Sequence, residues 1–177
     1  MVPEITFRTA SLADIPALAE LMPLSMAVMG GRVYSPKELE IVQQLIGVDR
    51  QIIEDGTYFV AEADGKIVAC GGWSYRKKLY GGAGVAAAPA VLDPKTDPAR
   101  VRAFFVHPDW TEHRLGTRML KRCEDAARAA GFTRVELGST RPGEPFYAKN
   151  GYLAMEWVTQ TAPDGRSLAL LRMGKKL

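Results

Sequence analysis

The sequence is poor in the residues from which metal centres and disulfide scaffolds are built. Two cysteines, Cys70 and Cys123, and two histidines, His107 and His113, are spread over 177 residues. Cys70 falls in an expected strand and Cys123 on the apolar side of an expected helix, so both read as buried thiols, which suits a reducing compartment. Two histidines without a convergent carboxylate pattern make no zinc site. Charge of one sign is also scarce: 23 Lys and Arg stand against 20 Asp and Glu, a formal +3. So small and mixed an excess argues against a specific nucleic acid or a membrane as partner. The chain shows no basic N-terminal region followed by an apolar stretch and a cleavage site. It shows no continuous apolar run near the roughly 20 residues that span a bilayer, and no repeat of about 20 to 50 residues. A cytoplasmic protein with a single domain over residues 1–177 is therefore expected, its 47% hydrophobic content being enough for one core. Gly138-Ser139 lies outside the nucleophile-elbow pattern, which removes a serine hydrolase.

What is present is a change of period along the chain. Ile5–Arg8 reads as a strand, Ser11 as a helix cap and Asp14 as an acid in the first turn; Leu12, Ile15, Leu18, Ala19 and Met22 then recur at helical spacing. Ser35-Pro36 opens a second helix, with Glu38 placed to complete a capping box and an apolar stripe through Leu39, Val42, Leu45 and Ile46. Between them Met29-Gly30-Gly31 breaks the pattern. From Thr57 the period becomes two. Tyr58–Ala61, Asp64-Gly65 and Ile67–Cys70 make an antiparallel hairpin around a tight primed turn. Gly71-Gly72 signals a bulge or a close backbone approach. Tyr80–Thr96, rich in Gly, Ala and Pro, reads as a partly mobile loop and a candidate substrate gate.

The second half predicts strand Val101–Val106, helix Leu115–Ala130, strand Arg134–Leu137, short helix Glu144–Lys149, and strands Leu153–Thr159 and Ser167–Met173. The long helix gathers Leu115, Met119, Cys123, Ala127 and Ala130 on one side. Strand, helix and strand form a right-handed crossover, so the flanking strands should be parallel neighbours in an otherwise antiparallel, mixed α/β sheet. The turn that starts the long helix, Thr111–Thr117, has unpaired N–H groups and the positive end of a helix dipole, and so is able to receive an anion, as every exposed helix start is to some degree.

Several segments in this order resemble the GNAT superfamily of N-acetyltransferases. They are the early helices, the hairpin from Thr57 to Cys70, the run A-F-F-V-H-P-D-W-T-E-H-R-L-G-T-R-M-L, the strand V-E-L-G-S, and P-F-Y-A-K-N-G-Y at 145–152. The resemblance covers most of the chain and implies a GNAT-like mixed central sheet of about seven strands flanked by helices. It implies acetyl-CoA as cofactor, with pantetheine beside the backbone of Phe105 and Val106 and pyrophosphate at His113, Arg114, Leu115, Gly116 and Thr117. The family's pyrophosphate pattern is Gln or Arg, two residues, Gly, one residue, Gly or Ala. Laid on Thr111–Gly116 it keeps only the last glycine, because Arg114 stands at the other. That guanidinium either helps hold a phosphate or obstructs close approach of the backbone. A homodimer is compatible with the family.

An amine must lose its proton before it attacks an acetyl thioester, and the departing thiolate must be stabilised or protonated. Tyr147 is the candidate acid, since P-F-Y-A-K-N-G-Y resembles the segment that carries a tyrosine near the sulfur in many GNAT enzymes; its alternative role is an aromatic anchor against Tyr152. Glu136 on the central strand and His107 are candidate bases, against an ion pair with a nearby arginine for the first and a strand end or turn cap for the second. A water chain is a third route. Tyr34, Trp73, Tyr75 and Tyr80 offer aromatic surface to an acceptor, and Glu38 and Glu62 could attract a cation. Arg76, Lys77 and Lys78 instead suit an acidic acceptor or phosphates. The expected function is transfer of acetyl from acetyl-CoA to a primary amine of a small molecule or peptide. The alternatives are a non-catalytic acyl-CoA sensor or interaction domain, and an enzyme that uses a larger acyl group.

Overall fold

Alternation along the first hairpin sorts the helices onto the two faces of one sheet. The structure, a computed structural model, describes residues 3–78 and 89–177. Its strands are β1 (Ile5–Thr9), β2 (Tyr58–Ala63), β3 (Lys66–Ser74), β4 (Ala99–Val106), β5 (Arg134–Ser139), β6 (Leu153–Thr161) and β7 (Ser167–Lys176). They form a seven-stranded sheet in the order β1-β2-β3-β4-β5-β7-β6. Only β4 and β5 run parallel, joined by the crossover helix α4 (Leu115–Ala129). Tyr58, Val60 and Cys70 pack with Leu18 and Met22 of α1 (Ile15–Gly30) and Ile52 of α3 (Arg50–Glu54). The alternate residues Phe59, Ala61 and Ala69 pack with Met119, Leu120 and Cys123 of α4. A third cluster joins Ile41 and Val42 of α2 (Pro36–Leu45) to Leu168 and Leu170 of β7. The mixed α/β sheet flanked by helices is the one expected.

Local chemistry sets the boundaries. The Asp14 carboxylate accepts from the Ser11 main chain at 2.7 Å and pairs with Arg8 at 2.8 Å, tying the start of α1 to β1. Ser35 Oγ accepts from Glu38 N at 3.3 Å while the Glu38 carboxylate accepts from Ser35 N at 2.8 Å, a reciprocal cap worth about 1 kcal/mol. Asp64 (φ 50°) and Gly65 (φ 73°) both take the left-handed conformation that a primed hairpin turn requires. Both cysteines are buried and free, and burial pushes the Cys70 thiol up to about 12.

Three expectations change. Helix α3 and a 3₁₀ turn over Pro108–His113 were not anticipated, because five or six residues are too few to display a helical period. Helix α4 ends at Ala129 and Ala130 is exposed, while Leu120 and Glu124 join the buried side. The segment Leu12–Gly30 is, by length and composition alone, long and apolar enough to cross a membrane; a mean over the segment tolerates Asp14 and Glu20, which interrupt any continuous run. In the fold its Leu18, Leu21 and Met22 are buried against the sheet. Of the expected gate, residues 80–88, including Tyr80, lie outside the described residues. Its remainder is tied to the end of β3, with Leu92 buried and its N–H donating to Tyr75 O at 2.7 Å.

Candidate active site

The parallel pair β4/β5 holds only at Ala99↔Val135 and Arg100↔Glu136, after which the strands part. On its other side β4 carries a bulge. Cys70 pairs with Phe105 and Gly72 with Arg102, so Ala103 and Phe104 both stand opposite Gly71. Ala103 has φ 56°, and its carbonyl accepts a 2.8 Å hydrogen bond from the hydroxyl of the fully buried Tyr58. The two glycines allow this. A Cβ on Gly71 would lie 2.8 Å from the Phe104 ring, and one on Gly72 only 2.5 Å from the Tyr58 ring. Both readings of Gly71-Gly72, bulge and close approach, therefore hold together.

A cavity of about 550 Å³ runs through the gap. From β4 it takes Arg102 to Val106, from β5 the terminal Gly138 and Ser139. One end meets the start of α4 at Arg114, Gly116 and Thr117, together with Phe146 and Tyr147 of α5 (Glu144–Lys149). The other end is closed by α1 and α2. The early helices thus cover one side of the cleft.

At the α4 turn, Arg114 is the N-cap residue with φ 53° and ψ 28°, the left-handed conformation that a glycine adopts without cost. The backbone keeps the shape for which the family pattern uses glycine, and the side chain changes instead. Arg118 N donates to Arg114 O at 3.0 Å, which leaves the N–H groups of Leu115, Gly116 and Thr117 ahead of the first intrahelical bond. Gly116 has a packing duty: a Cβ there would lie 3.0 Å from the Phe146 ring.

Of the residues singled out from sequence, Tyr147, Phe105, Val106, Arg114, Gly116 and Thr117 come together around the cavity. Tyr147 is ringed by aromatic neighbours, with centroids of Phe146 at 5.0 Å, Tyr152 at 5.7 Å and Phe104 at 6.3 Å. Burial raises the pKa of its phenol above the usual value, and no side-chain hydrogen bond to a described residue occupies its hydroxyl. It is at once the aromatic anchor and an available donor.

Four side chains do not reach the cavity. Glu136 is buried with Oε2 accepting from Arg100 Nη1 at 3.0 Å and from Arg172 Nη2 at 2.7 Å, the ion-pair arrangement. His107 caps the 3₁₀ turn, its Nδ1 accepting from Asp109 N at 3.2 Å. His113 meets Trp110 at a tilt of 41° with ring centroids 5.0 Å apart, and Leu115 is buried in the core. The proposed acceptor aromatics are also used elsewhere. Trp73 is core and meets Phe132 and Tyr75 edge-on, while the Tyr34 hydroxyl accepts from Arg141 N at 3.0 Å. Glu38 pairs with Arg141 and Glu62 with Arg8. Arg76 pairs with Asp55 at 2.7 Å, and Lys78 with Asp49 at 3.4 Å. Met26 and Met29 of α1 and Leu45 and Ile46 at the end of α2 also line the cavity, and sequence reasoning assigned none of them to a site. Met29 and the α2 stripe were legible as apolar residues beside a break, but nothing in the pattern separates a cavity wall from a core.

Comparison with known proteins agrees with this geometry. The chain matches the family model described as an acetyltransferase (GNAT) domain over residues 54–153. The fold is that of a GCN5-related N-acetyltransferase structure from Rhodopseudomonas palustris, at TM-score 0.73 and 21% identity, covering 100% of this chain and 99% of that one. It is also that of the PaiA N-acetyltransferase from Thermoplasma acidophilum in complex with coenzyme A (TM-score 0.62, 17% identity, 98% and 99% covered). A third is YncA, a putative acetyltransferase from Salmonella typhimurium with acetyl-CoA (TM-score 0.61, 19% identity, 98% and 94% covered). No curated protein matches the chain significantly. The matched stretch runs from α3 through the bulged β4, the α4 turn and α5 to the first residue of β6, and so contains the parted strands and Tyr147: the chain belongs to the GNAT family of N-acetyltransferases.

Proposed function

We propose that the chain transfers an acetyl group from acetyl-CoA to a primary amine of a small molecule or peptide, with the thioester lying in the gap between β4 and β5. The observation that carries this reading is the gap itself. Past Arg100, β4 has no β5 partner, and its edge faces a cavity that ends at a helix start. In this reading residues 1–177 act as one acyl-CoA-binding domain. The backbone of Phe105 and Val106 holds the pantetheine amides as an added strand would be held. The N–H groups of Leu115, Gly116 and Thr117 and the turn at His113 and Arg114 hold the pyrophosphate. Bound acetyl-CoA supplies an activated acyl carbon on a thiol leaving group.

Tyr147 gives its proton to the departing sulfur. Its raised pKa keeps the phenol protonated across the neutral range, so the donor is in place at working pH. With Glu136 and His107 engaged elsewhere, the ammonium proton of the acceptor is lost to water. The nitrogen forms its bond to the acyl carbon as the carbon–sulfur bond breaks, and the proton then shed by nitrogen returns through water to Tyr147. Amine and thioester become amide and thiol.

Purified protein given acetyl-CoA and a panel of amines should yield acetylated products detectable by mass. Tyr147→Phe should lower turnover by on the order of 100-fold with coenzyme A affinity nearly unchanged. Wild-type turnover in that variant would remove the tyrosine from the acid role. Binding of acetyl-CoA without transfer to any amine would favour the sensor.

A further inference from the structure

The two ends of the cavity differ in chemistry. Resting on the transferase reading, we infer that the acceptor is a primary amine carried on an apolar body, an alkylamine or arylalkylamine taken up as the neutral base, rather than a polyamine or an acidic amino acid. The acceptor end is formed mainly by apolar side chains, Met26 and Met29 of α1, Val42, Leu45 and Ile46 at the end of α2, and Leu170 of β7, with the uncharged Ser25 and Gln160 as the polar residues of those elements and of β6. Met26, Val42 and Leu170 are buried in the cluster beneath, whereas Met29, Leu45 and Ile46 are only half-buried and keep apolar surface for a ligand. Covering that surface with an apolar body removes it from water. Two methionines one turn apart adapt their shape, so chain and ring are both accommodated.

Charge points the same way. Every charged residue that lines the cavity, Arg102, Arg114 and Lys149, is a cation, and among the described residues no Asp or Glu lines it. Residues 79–88 contain no Asp or Glu in their sequence. Three carboxylates on neighbouring elements are committed: Glu38 to Arg141, Asp49 to Arg102 and Lys78, Glu136 to Arg100 and Arg172. A polyamine entering here gives up hydration with no counter-charge, which is costly. Arg102 is 5% exposed and bound to Asp49, which leaves it little surface to offer an acceptor carboxylate. Apolar surroundings favour the uncharged form of an amine, which is the form that attacks. The same wall therefore selects the acceptor and prepares it.

The test compares 2-phenylethylamine and hexylamine with putrescine and glutamate in acetyl-CoA turnover. The apolar amines should exceed the others in kcat/KM by at least about tenfold, the discrimination a few buried methylenes provide. Met29→Glu should shift the preference towards putrescine. In parallel, calorimetric titration of 2-phenylethylamine and putrescine into the protein with coenzyme A present reads acceptor binding without chemistry. Transfer that favours putrescine or glutamate overturns the acceptor class and leaves the transferase standing. Tighter binding of 2-phenylethylamine with no transfer supports the acceptor class and overturns the transferase, and equal binding with no transfer overturns both.

Discussion

Ala103 and Arg114 stand at two places on one cavity, and each holds a left-handed backbone without being glycine. For an L-residue that conformation costs roughly 1–2 kcal/mol. Their surroundings differ. Ala103 sits in a bulge whose carbonyl is bound by the buried Tyr58 hydroxyl, with the Phe104 ring seated on Gly71. Arg114 is exposed, makes no side-chain cap, and is fixed by the main-chain bond from Arg118. The backbone at the bulge is dictated by the core, whereas the backbone at the α4 turn is dictated by one helix start. Strain at the first place is over-determined and strain at the second is only tolerated. The two should respond to opposite kinds of mutation.

Removing the core's hold on Ala103 is the most disruptive way to break the comparison. Tyr58→Phe leaves the Ala103 carbonyl without its donor and should cost about 1–3 kcal/mol, read from the urea midpoint. Turnover should fall more than coenzyme A affinity, since the bulge aims Phe104 at Tyr147 while the α4 turn is untouched. Because burial raises the Tyr58 pKa well above its usual value, the phenol stays a donor throughout the working range and the defect should be independent of pH. Unchanged stability and turnover would mean that the sheet alone maintains the bulge.

This contrast also explains what the sequence discloses. Period, caps and turn residues locate all seven strands and the longer helices because they mark whole elements. Accessibility nevertheless alternates little along β3, buried through most of its length, and β6, exposed through most of its length. Gly71-Gly72 announces a close approach because only glycine leaves room for another ring. The bulge itself falls on Ala103 and Phe104, ordinary strand residues whose displacement is caused by strands distant in sequence. Arg114 misleads in the opposite way. A side chain where the pattern has glycine suggests a different backbone, yet the chain adopts the glycine-like conformation. Glu136 shows a further limit, since a buried carboxylate on a central strand looks the same in sequence whether it faces an acceptor or two arginines on neighbouring strands.

Arg114→Gly sharpens the second half of the comparison. Glycine removes the left-handed penalty but loosens the unfolded chain, so the net gain should be below about 1 kcal/mol, seen as a small rise in Tm. If the backbone holds the pyrophosphate, affinity for coenzyme A should stay within about threefold. A tenfold loss at low salt that disappears at high salt would instead assign the guanidinium to a phosphate.

The smallest effect on stability is expected at Gly116, where two contributions oppose. Alanine in the first turn of α4 gains helix propensity, at most about 1 kcal/mol. Its Cβ would lie 3.0 and 3.1 Å from two atoms of the Phe146 ring, closer than carbon atoms pack at rest, so the ring must give by a few tenths of an ångström. Phe146 is half-buried and can move, which should hold the net change of Gly116→Ala within about 0.5 kcal/mol. Movement is not free for function, however, because the Phe146 ring meets Tyr147 edge-on at 5.0 Å. A displaced Phe146 shifts Tyr147, the proposed proton donor, without altering the left-handed turn at Arg114. Gly116→Ala should therefore lower turnover severalfold with little change in Tm and coenzyme A affinity. Full turnover with weakened coenzyme A binding would show that the glycine serves the phosphate rather than the packing of α5.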